Sequence, residues 1–163
     1  MSSLALYVLF FLVSPVTCSL CTTTNIDLVA RIVFGEARSE TNAGQLAVAY
    51  TVVNRVNTPG FPKTVPDVLN QKYNNGRQHQ YITLDNKIHE LLWQEDKGYN
   101  TVAYQRAVNA ATYALCGTKP DPTTGATFFC IQYKCTKKFE NMYFVVKKEI
   151  RIGYHYFPIM GPR

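Results

Sequence analysis

The chain changes from helical to strand-forming sequence about two thirds of the way along, and this change limits its fold more than any other feature. Apolar residues three or four positions apart recur as far as Gly117, as they do on helices. Beyond Pro120, the sequence is aromatic and β-branched in three stretches, residues 126–133, 141–152 and 154–157. The order predicts an α+β fold, a compact domain with helices in the N-terminal two thirds and a small antiparallel β-sheet at the C-terminal end.

Several helices are predicted before this change. The segments with helical spacing are residues 26–36, 43–56, 89–96 and 101–117. A short helical turn should begin near Pro66, because proline is favoured in a first turn. Residues 72–86 are polar, rich in Asn and Gln, and contain the turn signal Asn75-Gly76, so we expect a loop there.

The N-terminus has the pattern of a secretory signal peptide. The apolar run Leu4–Val13 is too short to span a bilayer, and small residues follow it up to Cys18. We predict a signal peptide at residues 1–18, a single domain at residues 19–163, and a secreted protein with no stable membrane insertion after cleavage. A retained membrane anchor is the alternative.

Signal cleavage would leave an even set of cysteines, Cys21, Cys116, Cys130 and Cys135. In an oxidising compartment such a set indicates two disulfides. Of the three connectivities that are possible, we favour Cys130 with Cys135, because this pair flanks a short loop. Cys21 then pairs with Cys116. A zinc site is the rival use, but the four cysteines that remain after cleavage include no C-x-x-C pair, and no other metal-site spacing is present, so we predict neither a metal nor a cofactor.

The formal net charge of +6 and the pI of about 9.1 favour an anionic partner. A bacterial envelope, a nucleic acid and an acidic glycan all fit the charge. We expect the bacterial envelope as partner, no nucleic acid, and a monomeric protein. The late cations form either a binding surface or a solvated strand face and loop; they are Lys134, Lys137, Lys138, Lys147, Lys148 and Arg151.

A glutamate lies on the apolar face of the first predicted helix. The residues three, four and seven positions before Glu36 are all Val or Ile. A carboxylate on such a face is poorly solvated and lies near the helix C-terminus, so we expect Glu36 to keep its proton near neutral pH. A protonated glutamate can act as a general acid. The alternative is a structural glutamate in an ion pair with Arg31 or Arg38.

Five blocks follow one another along the chain: ARIVFGEARSETNAGQLAVAYTVVNRV, GFPKTVPDVLNQ, QHQYI, GATFF and IGYHYF. In order and spacing they resemble the bacterial cell-wall hydrolase family typified by the spore-cortex-lytic enzyme SleB. The resemblance runs from about Leu28 to Phe157. Its more specific part is the GEAR block followed by the pair Asn54-Arg55, whereas Tyr81 stands where the family usually has Phe.

The resemblance implies a lysozyme-like or lytic-transglycosylase-like domain that acts on the glycan strands of peptidoglycan. The family's catalytic acid, the glutamate of the GEA block, matches Glu36. Asn54 and Arg55 match the family's Asn-Arg pair, which could orient substrate, buttress Glu36 or simply bond two helices. Gln80 and Tyr81 match a Gln-Phe pair, in which the aromatic either stacks on a sugar or belongs to the core.

Two further residues are candidates near the site. His155 matches the histidine of the family's Ile-Gly-x-His-x-Phe block, and either hydrogen-bonds near the cleft floor or is structural. A two-carboxylate hydrolase would need a second Asp or Glu across the cleft, and the sequence identifies none. Glu40 could flank the site, or it is an exposed partner of Arg38 or a loop charge. With one glutamate, the lytic transglycosylase route is favoured: the glutamate gives a proton and takes one back while the sugar's own 6-hydroxyl attacks.

Two other functional classes remain open at this point. A basic secreted ribonuclease would need two histidines that converge on a phosphate, and His79 and His155 are the candidates. A disulfide-stapled carbohydrate-binding or defence module without catalysis would stack sugars on Tyr81, Trp93 and Tyr133. Antibacterial defence, digestion of bacteria and wall remodelling would all use the same glycan-cleaving chemistry.

Overall fold

The computed structural model describes residues 20–73, 75–131 and 144–162. The predicted signal peptide, Cys135 and Tyr133 lie outside these residues, as do the first three of the late lysines. The main helices are α1 (Thr23–Ala37), α2 (Asn42–Asn57), α3 (Val65–Leu69), α4 (Lys87–Gly98) and α5 (Val102–Leu115). Each helix predicted from spacing is present, with ends shifted by a few residues.

Two antiparallel hairpins complete the described chain. The first joins β1 (Lys72–Tyr73) to β2 (Gln78–His79) and is followed by a 3-10 helix, Ile82–Asp85. The second joins β3 (Phe144–Ile152) to β4 (His155–Pro162) at the C-terminal end. The predicted α+β order is therefore confirmed. The expectation of a loop at residues 72–86 was too simple, because this segment holds a short hairpin and a helical turn.

The predicted strand at residues 126–133 is wrong in its described part. Up to residue 131 this segment forms only an isolated bridge, in which Cys130 pairs with Tyr156 of β4. Its carbonyl groups are engaged elsewhere, since those of Ala126 and Thr127 accept hydrogen bonds from side chains of α2. Side-chain donors from a helix thus replace the donors of a neighbouring strand.

Helix α2 is the centre of the core. It packs against α1 and α5 and also contacts α3 and β3. Helical spacing of apolar residues predicts burial of one face, yet α2 is buried around most of its circumference, and Leu46 is only half-buried. A helix enclosed by neighbours needs small residues, and alanine, valine and glycine supply them here.

Threonine or asparagine caps the start of each main helix. Its side-chain oxygen accepts a backbone N–H of the first turn, which would otherwise lack a partner. The capping residues are Thr22, Thr41, Thr64, Asn86 and Thr101. Just after the end of α5, Gly117 has φ of 65°, the left-handed conformation that glycine commonly adopts where a helix ends.

A disulfide joins the beginning of the helical region to its end. Cys21, which precedes α1, is bonded to Cys116 at the end of α5, as predicted. The bond links residues 95 positions apart. Pairing of Cys130 with Cys135 stays a prediction, because Cys135 is not among the described residues. In the described part of the chain, no helix has the length and apolar character needed to cross a membrane.

Replacement of both Cys21 and Cys116 by serine should lower the free energy of unfolding by about 2–5 kcal/mol, because the unfolded chain regains the freedom of a long loop. Urea denaturation followed by circular dichroism measures the difference. An unchanged midpoint would show that packing of α1 against α5 holds these ends without the disulfide.

Candidate active site

Glu36 lies in the last turn of α1, at the edge of the core. Val29, Ile32 and Val33 of the same face are fully buried, whereas Glu36 is half-buried. Its Oε1 accepts a hydrogen bond of 2.8 Å from the backbone N–H of Thr83. Among the described residues, no hydrogen bond reaches Oε2. One carboxylate oxygen is therefore held by the backbone, and the described part of the chain leaves the other without a hydrogen bond.

The contact between α1 and the 3-10 helix depends on Gly35. A Cβ atom at Gly35 would overlap the side chain of Thr83, so only glycine allows this close approach. The approach brings the Thr83 N–H to Glu36. The structural effect of Gly35 is thus to admit the 3-10 helix beside α1.

Histidines brace the segment that carries Thr83. The ring Nδ1 of His79 lies 2.6 Å from Oδ1 of Asp85, and the His79 N–H donates to Oδ2 at 2.7 Å. The hydrogen bond from the His79 ring, followed by that from its N–H, lowers the pKa of Asp85. At the other side, Thr83 Oγ1 lies 3.4 Å from Nδ1 of His89. These contacts hold the 3-10 helix on both sides of Thr83.

Ion pairing of Glu36 with a neighbouring arginine is not found in the described structure. Arg31 is bonded to Glu90, with 2.5 Å between Nη2 and Oε2. Arg38 instead places its guanidinium over the ring of Phe34, 5.3 Å from the centroid. Neither of the two predicted structural partners engages Glu36, so its carboxylate is not consumed in an ion pair with them.

Glu40 is buried against the turn of the C-terminal hairpin. Its side chain is 4% exposed, and both carboxylate oxygens accept the N–H of Tyr154, at 3.1 and 3.3 Å. Oε1 also lies 3.1 Å from Nδ1 of His155, although the alignment is poor for a hydrogen bond. A Cβ atom at Gly153 would collide with Glu40. The expectations of an exposed partner for Arg38 or a loop charge are therefore wrong.

His155 lies inside the protein beside two carboxylates. It is 2% exposed, and its ring packs edge-on against Phe129 at 5.2 Å. Burial lowers the pKa of His155, and the negative charges of Glu40 and Glu36 oppose this effect. His155 is thus in contact with Glu40 and lies within the electrostatic influence of Glu36. Among the described residues, its Nε2 has no hydrogen-bond partner.

Asn54 and Arg55 anchor the segment that follows Pro120. The Asn54 amide donates to Asp121 at 2.9 Å and to the carbonyl of Ala126 at 3.0 Å. Nε of Arg55, a residue only 3% exposed, donates to the carbonyl of Thr127 at 2.7 Å. The Arg55 guanidinium also packs over three aromatic rings, those of Phe61, Tyr81 and Phe128. Both side chains bond a loop to α2.

Tyr81 and Gln80 are neighbours with opposite exposure. Tyr81 is 1% exposed, and its hydroxyl lies 3.5 Å from Thr51 Oγ1. Burial raises the pKa of Tyr81; Arg55 opposes the rise and the charge of Glu36 adds to it. The side chain of Gln80 is exposed. Tyr81 is therefore part of the protein interior, whereas the side chain of Gln80 is accessible to solvent.

The structure thus gathers Glu36, Glu40, Tyr81 and His155, with Arg55 beneath Tyr81. Asn54 faces the loop of residues 121–126. Sequence reasoning missed Thr83; a glycine inside a helix, just before the glutamate, was the signal that another segment comes close there. In the described parts of the chain, no three His, Cys, Asp or Glu side chains are grouped to hold a metal ion.

A protein-family model described as Cell Wall Hydrolase matches residues 39–158, which is most of the chain and begins just after Glu36. The spore cortex-lytic enzyme of Halalkalibacterium halodurans is 49% identical over 45 residues, 28% of this chain and 14% of that enzyme. The one from Bacillus subtilis is 47% identical over 45 residues, 28% of this chain and 15% of the enzyme. The chain thus matches only a small part of the length of these relatives.

Two solved structures share the fold. The catalytic domain of the Bacillus cereus SleB protein superposes with a TM-score of 0.55 at 25% identity, over 85% of this chain and 91% of that domain. The catalytic domain of the germination-specific lytic transglycosylase SleB from Bacillus anthracis superposes with a TM-score of 0.51 at 22% identity, over 85% of this chain and 96% of that domain. The arrangement of helices and C-terminal strands is therefore one that solved catalytic domains also have.

Gly35→Ala should push the 3-10 helix away from α1 and break the bond from Thr83 to Glu36. We expect the free energy of unfolding to fall by about 1–3 kcal/mol. The Thr83 amide should also lose protection from hydrogen exchange. Gly98→Ala in α4 is the matched control, because a Cβ atom there meets nothing within 4 Å. Equal protection of Thr83 in both variants would contradict the proposed contact.

Stability should depend on pH through His155. The folded pKa of His155 lies below the ordinary value of 6.5, so the unfolded chain binds the extra proton first as the pH falls. The stabilising contribution is complete above about pH 6.5 and is lost as the pH falls below it. Denaturation between about pH 7.5 and 5.5 should show a smaller loss of stability in His155→Asn than in the wild type. An equal loss of stability with falling pH in the variant and the wild type would exclude His155 as the titrating group.

Proposed function

Since this chain belongs to the cell wall hydrolase family, we propose that it cleaves the glycan strands of peptidoglycan with Glu36 as general acid and base. The observation that carries the proposal is the state of the Glu36 carboxylate. One oxygen is held by the Thr83 N–H, and the other has no hydrogen bond among the described residues. A glutamate held in this way can pass a proton to and from a bound sugar.

The relatives support this class of reaction. Matched proteins are named spore cortex-lytic enzymes, and one similar catalytic domain is that of a lytic transglycosylase. Peptidoglycan is the glycan of bacterial walls, and the net charge of +6 suits an anionic envelope. We propose the same substrate class for this chain.

The proposed reaction needs one glutamate. Glu36 gives its proton to the glycosidic oxygen as the bond to the anomeric carbon breaks, and an oxocarbenium-like centre forms on the sugar. The 6-hydroxyl of the same sugar then attacks that carbon, and its proton passes to the Glu36 carboxylate. The products are a strand with a free hydroxyl and a strand that ends in a 1,6-anhydro sugar. Glu36 has its proton again and no water is consumed.

The burial of Glu40 favours this route over hydrolysis. A hydrolase needs a second carboxylate that faces the substrate or an attacking water. Glu40 is four residues from Glu36, but it is enclosed by Gly153, Tyr154 and His155. Its oxygens already accept the Tyr154 N–H. Glu40 is therefore better suited to hold the hairpin beside the cleft than to activate water.

The other candidate residues divide into two roles in this proposal. Tyr81, Arg55 and His155 are buried, so they position the cleft floor and do not touch sugar. Asn54 acts one step further away, by fixing the loop after Pro120. Gln80, whose side chain is exposed next to Tyr81, is the proposed ligand contact.

The two rival functions fit the geometry less well. A binding module would stack sugars on Tyr81 and Trp93, but both are 1% exposed. A ribonuclease would need His79 and His155 at one phosphate, but the His79 ring is engaged with Asp85 and His155 is buried beside Glu40. Secretion behind the signal peptide at residues 1–18 and action as a monomer remain part of the proposal.

Glu36→Gln should abolish release of fragments from purified peptidoglycan while leaving the fold and wall binding intact. The loss should exceed about 10³-fold, because the only group proposed to transfer the proton is removed. Glu95→Gln, a change at an exposed position of α4, is the control. Mass spectrometry distinguishes the outcomes: anhydro ends identify a transglycosylase, and reducing ends identify a hydrolase. Full activity in Glu36→Gln would refute the assignment of Glu36.

A further inference from the structure

A concave surface lies between the start of α2 and the end of α5. This surface, here the α2–α5 groove, has a volume of about 320 Å³. Its lining includes Asn42, Leu46, Arg106, Asn109, Tyr113 and Lys119. None of these residues belongs to the cluster around Glu36, so the groove is a separate feature of the molecule.

Helix geometry puts the groove on the far side of α2 from that cluster. Gly44 faces Glu40, since a Cβ atom there would lie 3.0 Å from Cβ of Glu40. Leu46 follows two residues later, a rotation of about 200° around the helix. The two surfaces nevertheless share a link, because Arg106 donates to the backbone carbonyl of Glu40.

The groove carries two cations, and no acidic residue of the described chain lines it. Arg106 is held in place, with Nε bonded to Asn42 at 2.8 Å and Nη2 bonded to the Glu40 carbonyl. Lys119 has its carbonyl held by the hydroxyl of Tyr50 and its ammonium 4.0 Å from the centre of the Tyr113 ring. Two cations fixed beforehand lose little freedom when an anion binds.

The remaining lining is suited to a peptide. Ala43, Leu46 and Ala110 offer small apolar contacts, and Asn109 has an exposed amide that can both donate to and accept from a peptide group. A bare phosphate polymer would use the cations alone. The combination of cations, an amide and short apolar contacts fits a carboxylate that is carried by a short peptide with small side chains.

We propose that the α2–α5 groove binds the acidic stem peptides of peptidoglycan, with Lys119 and Arg106 facing a peptide carboxylate. This inference rests on the proposed function, because the peptide is part of the same wall polymer. A groove on the far side of α2 takes its peptide from a different sugar than the one at Glu36. Its effect is to hold the protein on peptide-bearing glycan between cleavage events.

The direct test is binding of a synthetic tripeptide, alanyl-γ-D-glutamyl-diaminopimelic acid, to ¹⁵N-labelled Glu36→Gln protein. Chemical shifts should change at Asn109, Tyr113 and Lys119. Lys119→Gln should weaken binding about tenfold, the loss expected when one charge-assisted hydrogen bond is removed. Lys87→Gln, at an exposed position of α4, should leave binding unchanged. A probe with its carboxylates converted to amides should bind at least about tenfold more weakly.

Cleavage assays separate this inference from the proposed function. Lys119→Gln should raise KM on peptide-bearing glycan and leave cleavage of peptide-free glycan unchanged. If neither glycan is cleaved by the wild type, the proposed function fails, while the binding experiment still decides about the groove. Equal tripeptide binding by Lys119→Gln and the wild type would overturn the inference. The inference would also be overturned if an oligomeric glycerol phosphate bound at the same residues more tightly than the tripeptide.

Discussion

The close approach of the 3-10 helix to Gly35 is the contact on which the candidate site depends. The approach is possible because glycine leaves room for the side chain of Thr83. It gives Glu36 a backbone hydrogen-bond donor, and the 3-10 helix follows directly after the buried Tyr81. One missing Cβ atom thus connects the end of α1, the catalytic candidate and the segment from His79 to His89.

Buried polar side chains form hydrogen bonds that position chain segments here, as strand pairing does in other folds. Asn54 and Arg55 bond to carbonyl groups of a segment that has the composition of a strand, and this segment becomes a loop anchored to α2. Glu40 does the same for the C-terminal hairpin by accepting the Tyr154 N–H. A buried side chain of this kind is costly to leave without a partner, so each one fixes the position of the element that it bonds.

Much of the fold could be predicted from local sequence. Helices α1, α2, α4 and α5 follow from apolar spacing, and their capping residues satisfy the first N–H groups from within the local sequence. The C-terminal strands follow from their aromatic and β-branched composition. The segment at residues 126–131 could not be predicted, because its hydrogen-bond partners lie some 70 positions earlier in the chain, at Asn54 and Arg55.

The sequence by itself determined the main helices and the α+β order and singled out Glu36 as a candidate, because spacing, composition and a recognisable block of residues are local properties. Only the tertiary structure decided that Glu40 is buried, that Tyr81 and Arg55 are buried against each other, and that Thr83 bonds Glu36. Burial and hydrogen bonding of these side chains depend on segments far apart in sequence. No local pattern contains that information, because the low-dielectric interior that sets it exists only once α1, α2 and the C-terminal hairpin have packed together.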